Sequence, residues 1–195
     1  MQGRHLARTL VTAGAATALA IPTAAYAESV HHRDPAHDVQ QVSTTGGTTT
    51  NLPKNRTADI VGVDLAYTKK HAAITIRTRK AASNWMFGAN IKTPKRTFTV
   101  LGSHDDTSTD FELLRGATSL GTPVACPGLR HHVDPDLATV TVKVPDTCIK
   151  DPHWVRSGAV LLVPVTGGGF DVDDALRKRG AAEESVNLSK RLHHA

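Results

Sequence analysis

The sequence predicts an all-β protein, an antiparallel β-sandwich of about eight strands. Apolar and polar residues alternate in short segments between residues 59 and 165, which is the pattern of strands with one buried face. Turn-forming residues separate these segments, and the same range contains no long amphipathic helical pattern. We therefore place a sandwich domain at residues 58–170.

Eight segments carry the alternation. The first two, 61–67 and 72–79, are joined by a link of hairpin length and are predicted to pair antiparallel. The other candidates, in chain order, are 85–91, 98–100, 111–113, 124–133, 140–144 and 154–165. Val140, Val142 and Val144 alternate with threonine and lysine, as expected for a strand with one face in a core.

Polar segments flank this domain. Residues 28–57 are rich in Ser, Thr, Gly and His, and their apolar content is too low to offset the entropy of ordering them. We expect a flexible leader there; the alternative is a short strand within it, since threonine favours strands. Residues 171–195 are charged, with apolar residues too sparse for a core face, and predict a short surface helix or a frayed tail.

The first 27 residues have the pattern of a cleavable signal peptide. Arg4 and Arg8 form a basic start, an alanine-rich apolar run follows, and Ala25-Tyr26-Ala27 supplies the small residues that a signal peptidase accepts. The apolar run is shorter than the roughly 20 residues that span a bilayer, so we expect no transmembrane anchor in the mature chain. Cleavage after Ala27 would release a secreted, extracellular chain of 168 of the 195 residues.

The charge balance gives no support for a nucleic-acid partner. The chain has 23 Lys plus Arg and 18 Asp plus Glu, and removing Arg4 and Arg8 leaves 21 against 18. No stripe of basic residues interleaved with aromatics occurs in the sequence. We expect a solvated surface of mixed charge instead.

The two cysteines, Cys126 and Cys148, both lie in the part predicted to be exported. An even pair in an oxidising compartment is expected to form a disulfide. They are 22 residues apart, and closing a loop of that size is worth about 3 kcal/mol in unfolded-state entropy. Their spacing does not match a redox or zinc motif, so we predict a purely structural bond.

Two clusters of possible metal ligands occur. One lies in the expected leader and consists of His31, His32, Asp34, His37 and Asp38. A mobile segment does not preorganise ligands, so we do not predict a specific site there. The other follows three glycines and offers weak calcium candidates, Asp171, Asp173 and Asp174. We predict no cofactor, and we expect the domain to fold without a metal.

His132 and Trp154 are the candidates for a ligand surface. In a strand, His131 would face the core and His132 the solvent, beside Asp134 and Asp136. A histidine oriented by a carboxylate can act as a general base, but no nucleophile motif accompanies it, so we predict no enzyme. Trp154 stands at a strand entrance, where part of its ring could contact a sugar.

Three segments, 126–130, 140–149 and 152–156, resemble uncharacterised small secreted proteins of actinobacteria. In that group a signal peptide precedes a β-sandwich, and a cysteine pair brackets a valine-rich strand. The strand pattern is also similar to that of carbohydrate-binding sandwich modules. The resemblance covers roughly residues 58–165 and implies a fold, without an activity or site residues.

These observations predict a secreted, non-enzymatic β-sandwich that acts as a binding or structural module at or outside the cell envelope. The alternative is a carbohydrate or cell-wall binding module, whose partner would be an extracellular polysaccharide or another cell-wall component. A hydrolase that uses His132 and the neighbouring aspartates is the third hypothesis.

The signal peptide generates the first testable prediction. Expression with its native leader in a bacterial secretion host should release a chain that begins at Glu28, because Ala25 and Ala27 satisfy the peptidase. Intact-mass analysis of the culture supernatant measures this. A membrane-bound chain that still begins at Met1 would contradict the export prediction.

Overall fold

A computed structural model describes residues 27–44, 48–177 and 186–194 of the chain. These residues form two antiparallel β-sheets packed face to face, which confirms the predicted all-β sandwich. The only helical element in these ranges is one turn of 3-10 helix, Asp146–Ile149. Accordingly, the described residues include no helix with the length and apolarity needed to cross a bilayer.

Fourteen strands are described. In chain order they are β1 (Glu28–His32), β2 (Gln40–Val42), β3 (Thr49–Asn51), β4 (Ile60–Tyr67), β5 (His71–Thr78), β6 (Trp85–Lys92), β7 (Thr97–His104), β8 (Thr109–Arg115), β9 (Thr122–Pro123), β10 (Arg130–Asp134), β11 (Thr139–Pro145), β12 (Trp154–Pro164), β13 (Phe170–Asp174) and β14 (Leu192–His193). The eight predicted segments correspond to β4–β8 and β10–β12, although the sixth begins as a strand only at Arg130.

The first sheet has five strands in the order β1-β4-β5-β11-β10. Its centre is the predicted hairpin of β4 and β5, in which Val63 pairs with Ile76 and Leu65 with Ile74. These four side chains are fully buried, because alternate residues of each strand point towards the second sheet.

The second sheet has the order β3-β2-β13-β12-β6-β7-β8-β9, with β14 paired to the start of β12. Its core face includes Phe87 and Ala89 of β6, which pair with Leu161 and Ala159 of β12. These residues belong to one continuous apolar cluster with the inner face of the first sheet. The apolar alternation read from the sequence therefore marks the two faces that make the core.

The segment 28–57, expected to be a flexible leader, contributes strands to both sheets. β1 pairs with β4 along the edge of the first sheet, and β2 pairs with β13 in the second. Backbone pairing, together with the fully buried side chain of Val39, orders a segment whose composition offers little apolar surface. Residues 45–47 of the threonine- and glycine-rich run lie outside the described residues.

The C-terminal segment also differs from the expected helix or frayed tail. Its first residues continue β13, a buried strand between β2 and β12, and its last described residues form β14. β14 aligns Leu192 with Val155, and both side chains are buried in the core. Residues 178–185 and Ala195 lie outside the described part, as do residues 1–26 of the predicted signal peptide 1–27.

The predicted disulfide is present between Cys126 and Cys148, whose Cα atoms are 5.6 Å apart. Cys148 lies in the 3-10 helix after β11, and Cys126 precedes β10, the edge strand that pairs with β11. Both sulfurs pack against the apolar core. The disulfide therefore links the segment before β10 to the 3-10 helix after β11, at one edge of the first sheet.

The disulfide generates the second prediction. Replacing both cysteines with serine, Cys126→Ser with Cys148→Ser, should lower the free energy of unfolding by about 2–5 kcal/mol, because the unfolded chain regains the entropy of an open loop. Urea denaturation of the variant and of the parent protein measures the difference. Ready labelling of both sulfurs by iodoacetamide in the native secreted protein would show that the bond does not form.

Candidate metal centre

A crossover loop brings two aspartates to the junction of the two sheets. β1 belongs to the first sheet and β2 to the second, so residues 33–39 pass from one to the other and carry Asp34 and Asp38. The backbone N–H of Asp34 donates to the Val61 carbonyl at 3.3 Å, and Val39 anchors the far end in the core. Both carboxylates are thereby held at fixed positions.

His37 shapes the turn between these aspartates. Its φ of 78° lies in the left-handed region, which non-glycine residues rarely adopt. The conformation is held because the His37 backbone N–H donates to both carboxylate oxygens of buried Asp59, at 3.1 and 3.3 Å. Its ring lies against the Pro53 carbonyl and the Arg79 guanidinium rather than among the carboxylates.

The third aspartate comes from β13 in the second sheet. Asp173 is fully buried, and its Oδ2 accepts a hydrogen bond of 2.8 Å from the backbone N–H of Ile60. Oδ1 has no hydrogen-bond partner among the described residues. One oxygen therefore fixes the side chain and the other is left for a further contact.

Asp34, Asp38 and Asp173 form one cluster, in which each supplies a carboxylate oxygen within 4.8 Å of the others. Asp34 is only 3% exposed, Asp173 is 0% exposed and Asp38 is half-buried. Five of their six oxygens are inaccessible to solvent and lack a hydrogen-bond partner in the described ranges. Buried polar atoms are normally paired, so five in one place indicate a missing partner.

The surroundings make these carboxylates hard to ionise in the absence of a cation. Burial, followed by the charge of Asp173, raises the pKa of Asp34 to about 9. Burial and the charge of Asp38 raise the pKa of Asp173 to about 8, and burial also raises that of Asp38. Desolvation disfavours the charged form of a carboxyl group, and neighbouring like charges raise its pKa further.

The other acidic groups nearby already have partners. Asp59 is paired with Arg79, with 2.9 Å between Oδ2 and Nη1. Asp171 accepts from the side-chain amides of Gln41 and Asn55, at 3.2 and 2.6 Å. Asp174 accepts the backbone N–H groups of Leu176 and Asn187. Within the part of the chain that the structure describes, the buried carboxylate oxygens without a hydrogen-bond partner all belong to the three-carboxylate cluster.

An all-oxygen set of this kind suits a hard divalent cation. Calcium and magnesium prefer carboxylate oxygens, whereas zinc prefers cysteine and histidine. The nearest imidazole nitrogen is Nε2 of His32, which is 3.9 Å from Oδ1 of Asp34 and lies at the edge of the cluster. Asp34, Asp38 and Asp173 are therefore the residues that could hold a metal.

The structure combines parts of the two ligand clusters seen in the sequence. Asp34 and Asp38 do meet, but the ring of His31 instead contacts Asp64, at 2.6 Å. Asp171, Asp173 and Asp174 do not converge. Asp174 points to the opposite face of β13 from Asp173, and Asp171, which shares the face of Asp173, is instead bound by the side-chain amides of Gln41 and Asn55. Nothing in the sequence predicts that residues so far apart in the chain would join. Such a cluster argues against our expectation that the domain folds without a metal.

The other sequence candidates do not assemble a site. His131, expected in the core, is exposed and stacks on Phe111 with ring centroids 4.7 Å apart. His132 is exposed as predicted, but Asp134 accepts backbone N–H groups of its own turn through Oδ1. Trp154 is half-buried, and the Arg191 guanidinium covers its ring at 4.6 Å from the centroid. Neither a general-base pair nor an open aromatic platform results.

The raised pKa values generate the third prediction. Without divalent metal, the protein should lose stability as the pH rises from about 5 to about 9. Aspartates of the unfolded chain release their protons near pH 4, whereas the pKa values of Asp34 and Asp173 in the folded state are about 9 and 8. The folded state thus holds the extra protons in this window, and raising the pH favours unfolding.

Thermal denaturation in chelating buffer across this pH range measures the effect. The matched control is the double variant Asp34→Asn with Asp173→Asn, which cannot titrate at these positions and should show a shallower pH dependence. Equal slopes for the variant and the parent protein would contradict the prediction.

Comparison with known proteins gives no match: no family model, no curated protein and no solved structure is similar to this chain.

Proposed function

We propose that this chain is a secreted, non-enzymatic β-sandwich that binds a calcium ion and acts as a binding or structural module at or outside the cell envelope. The observation that carries the proposal is the group of five unpaired, buried carboxylate oxygens on Asp34, Asp38 and Asp173. The ion would join the two sheets at the crossover loop.

Electrostatics favours a bound cation. Two unit charges 4.8 Å apart repel by about 3 kcal/mol at the effective dielectric constant of a protein site. Three ionised carboxylates would suffer this repulsion in each pair, in addition to the cost of burial. A divalent cation reverses the sign of these interactions, whereas protonation only removes them.

The donor set favours calcium over magnesium. Calcium takes six to eight oxygen ligands at 2.3–2.6 Å and tolerates bidentate carboxylates, whereas magnesium requires a compact octahedron and keeps several waters. Asp34 and Asp38 each have both oxygens unpaired, and Asp173 adds a fifth. Extracellular calcium modules bind in the range of about 10⁻⁴–10⁻³ M, which suits an exported protein.

The non-enzymatic part of the proposal is supported by the surroundings of the histidines. His132 is exposed, and the aspartate that would orient it is engaged with its own turn. No free cysteine offers a nucleophile among the described residues. A carbohydrate or cell-wall binding module remains the second candidate function, and a basic cleft remote from the metal centre favours it, as argued below.

Calcium addition gives the fourth prediction. Raising calcium to about 100 times its dissociation constant should stabilise the fold by about 2.7 kcal/mol and raise the midpoint of thermal unfolding by roughly 5–10 °C. Calorimetry of the mature chain with chelator, with calcium and with magnesium measures this. Calcium should give the larger shift.

Substitutions test whether the calcium-induced shift in the unfolding midpoint arises at the aspartate cluster. Asp34→Asn and Asp38→Asn should abolish the calcium shift yet leave the chelated protein as stable as the parent or more so, since each removes the cost of burying or protonating a carboxylate. Asp106→Asn removes an equal charge from an exposed turn and should keep the full shift. If calcium, magnesium and manganese all leave the parent unchanged, the proposal is wrong.

A further inference from the structure

A second site candidate lies at the other end of the sandwich, where the β6–β7 turn faces the segment that follows the 3-10 helix. Residues 93–96 and 149–153 line a cleft of about 300 Å³ there. This volume reaches the lower range of small-molecule sites. Its rim residues are exposed, so the cleft opens to solvent.

The cleft is separate from the metal centre. At one end of β4 the backbone N–H of Ile60 binds Asp173, and at the other end the hydroxyl of Tyr67 contacts the Pro152 carbonyl in the cleft wall. β4 spans eight residues from Ile60 to Tyr67, a length of roughly 23 Å. A ligand in the cleft would not touch the cation.

Basic side chains outnumber acidic ones in the lining of the cleft. Lys95, Arg96, Lys150 and His153 surround it, against a single acidic side chain, Asp151. Within the described ranges, none of these four basic side chains takes part in an ion pair. Unpaired cations that converge on a concave surface create a positive potential that attracts an anion.

Burial of acidic residues strengthens this field. Six of the 18 Asp and Glu residues are buried, whereas every Lys and Arg of the described residues remains at least partly exposed. The solvent-facing surface is therefore more positive than the count of 21 Lys and Arg against 18 Asp and Glu in the predicted mature chain indicates.

The backbone of the cleft is strained. Lys150 and Asp151 are consecutive non-glycine residues with φ of 72° and 45°. Lys150 is the left-handed C-cap that ends the 3-10 helix, so the turn itself accounts for its conformation. Here the Asp151 N–H donates to the Asp146 carbonyl at 3.1 Å, and the neighbouring Cys148 is fixed by the disulfide. Lys150 is thus presented from a rigid loop.

The other walls are apolar. Ile149, Pro94 and Pro152 line the cleft between the charged side chains. A bare inorganic anion would leave these surfaces without contact, whereas a ring carrying an oxyanion would use both. Lysine and arginine are the usual partners of phosphate and carboxylate groups.

We infer that this cleft binds a sugar that carries a phosphate or carboxylate group, with Lys95, Arg96 and Lys150 on the oxyanion. The inference rests on the proposed function in one point: it takes the protein to be a binding module, and it names the class of ligand that the module binds. Calcium binding at the metal centre does not depend on sugar binding in the cleft.

The test is a titration of the ¹⁵N-labelled mature chain in calcium, followed by amide chemical shifts. Glucose 1-phosphate, glucuronate and glucose serve as probes up to about 20 mM, enough for a millimolar site. At least one anionic sugar should perturb the amides of residues 95–96 and 149–151, and glucose should not. Which of the two binds identifies the oxyanion.

Substitutions test which side chains of the cleft bind the anionic sugar. Lys95→Gln combined with Arg96→Gln should weaken binding about tenfold, the effect of losing charge-assisted hydrogen bonds. Lys150→Asn should also weaken binding while raising the midpoint of unfolding, because asparagine tolerates a left-handed backbone. Lys80→Gln, an exposed change outside the cleft, should leave the affinity within about twofold.

Three results would overturn the inference: no perturbation by either anionic sugar, equal perturbation by glucose, or unchanged affinity in the double variant. Because calcium stabilisation is measured without sugar, these results leave the metal proposal standing. Loss of the calcium shift with sugar binding retained would instead reject the metal and keep the cleft.

Discussion

The neutralisation of buried negative charge at the sheet junction is the constraint on which the N-terminal half of the structure depends. Asp34 and Asp38 lie on the crossover loop that joins β1 of the first sheet to β2 of the second. Asp173, from β13, lies beside them. An apolar core of ordinary size holds the rest of the sandwich together. At this junction, carboxylates occupy the place of apolar side chains.

Two states can satisfy that constraint. In one, protons neutralise the cluster, and the pKa values near 8 and 9 describe how firmly they are held. In the other, a calcium ion takes their place and gains attraction to all three carboxylates. The cation state also explains why the side-chain oxygens of Asp34 and Asp38 accept no hydrogen bond from the described residues.

In the proposed function the two ends of the molecule have complementary roles. A cation bound at the acidic end would fix the first strands, while the disulfide and the Tyr67 hydroxyl fix the loop at the basic end. The two proposed sites lie at opposite ends of β4, so neither needs the other to be occupied.

The sequence was most informative where apolar residues alternate. The inner faces of β4, β5 and β11 are visible in runs such as Val140 to Val144, because strand period and burial coincide there. The same reasoning fails for β13, whose inward positions are Asp171 and Asp173. From the sequence alone, a buried aspartate cannot be distinguished from a solvated one unless its partners are known.

The candidate site was only half visible for the same reason. The sequence singled out Asp34, Asp38 and Asp173, but in separate clusters and with histidines that turn elsewhere. Their convergence depends on the pairing of β2 with β13, a long-range contact between segments of low apolar content. The basic cleft gave no sequence signal, because its turn and its loop are far apart in the chain.

The most direct measurement is a crystal structure of the mature chain grown with calcium, with anomalous scattering used to identify the ion. The account predicts one bound ion at about 2.3–2.6 Å from carboxylate oxygens of Asp34, Asp38 and Asp173, tying the crossover loop to β13. Carboxylates that pair with one another through shared protons at saturating calcium, with no ion between them, would contradict it.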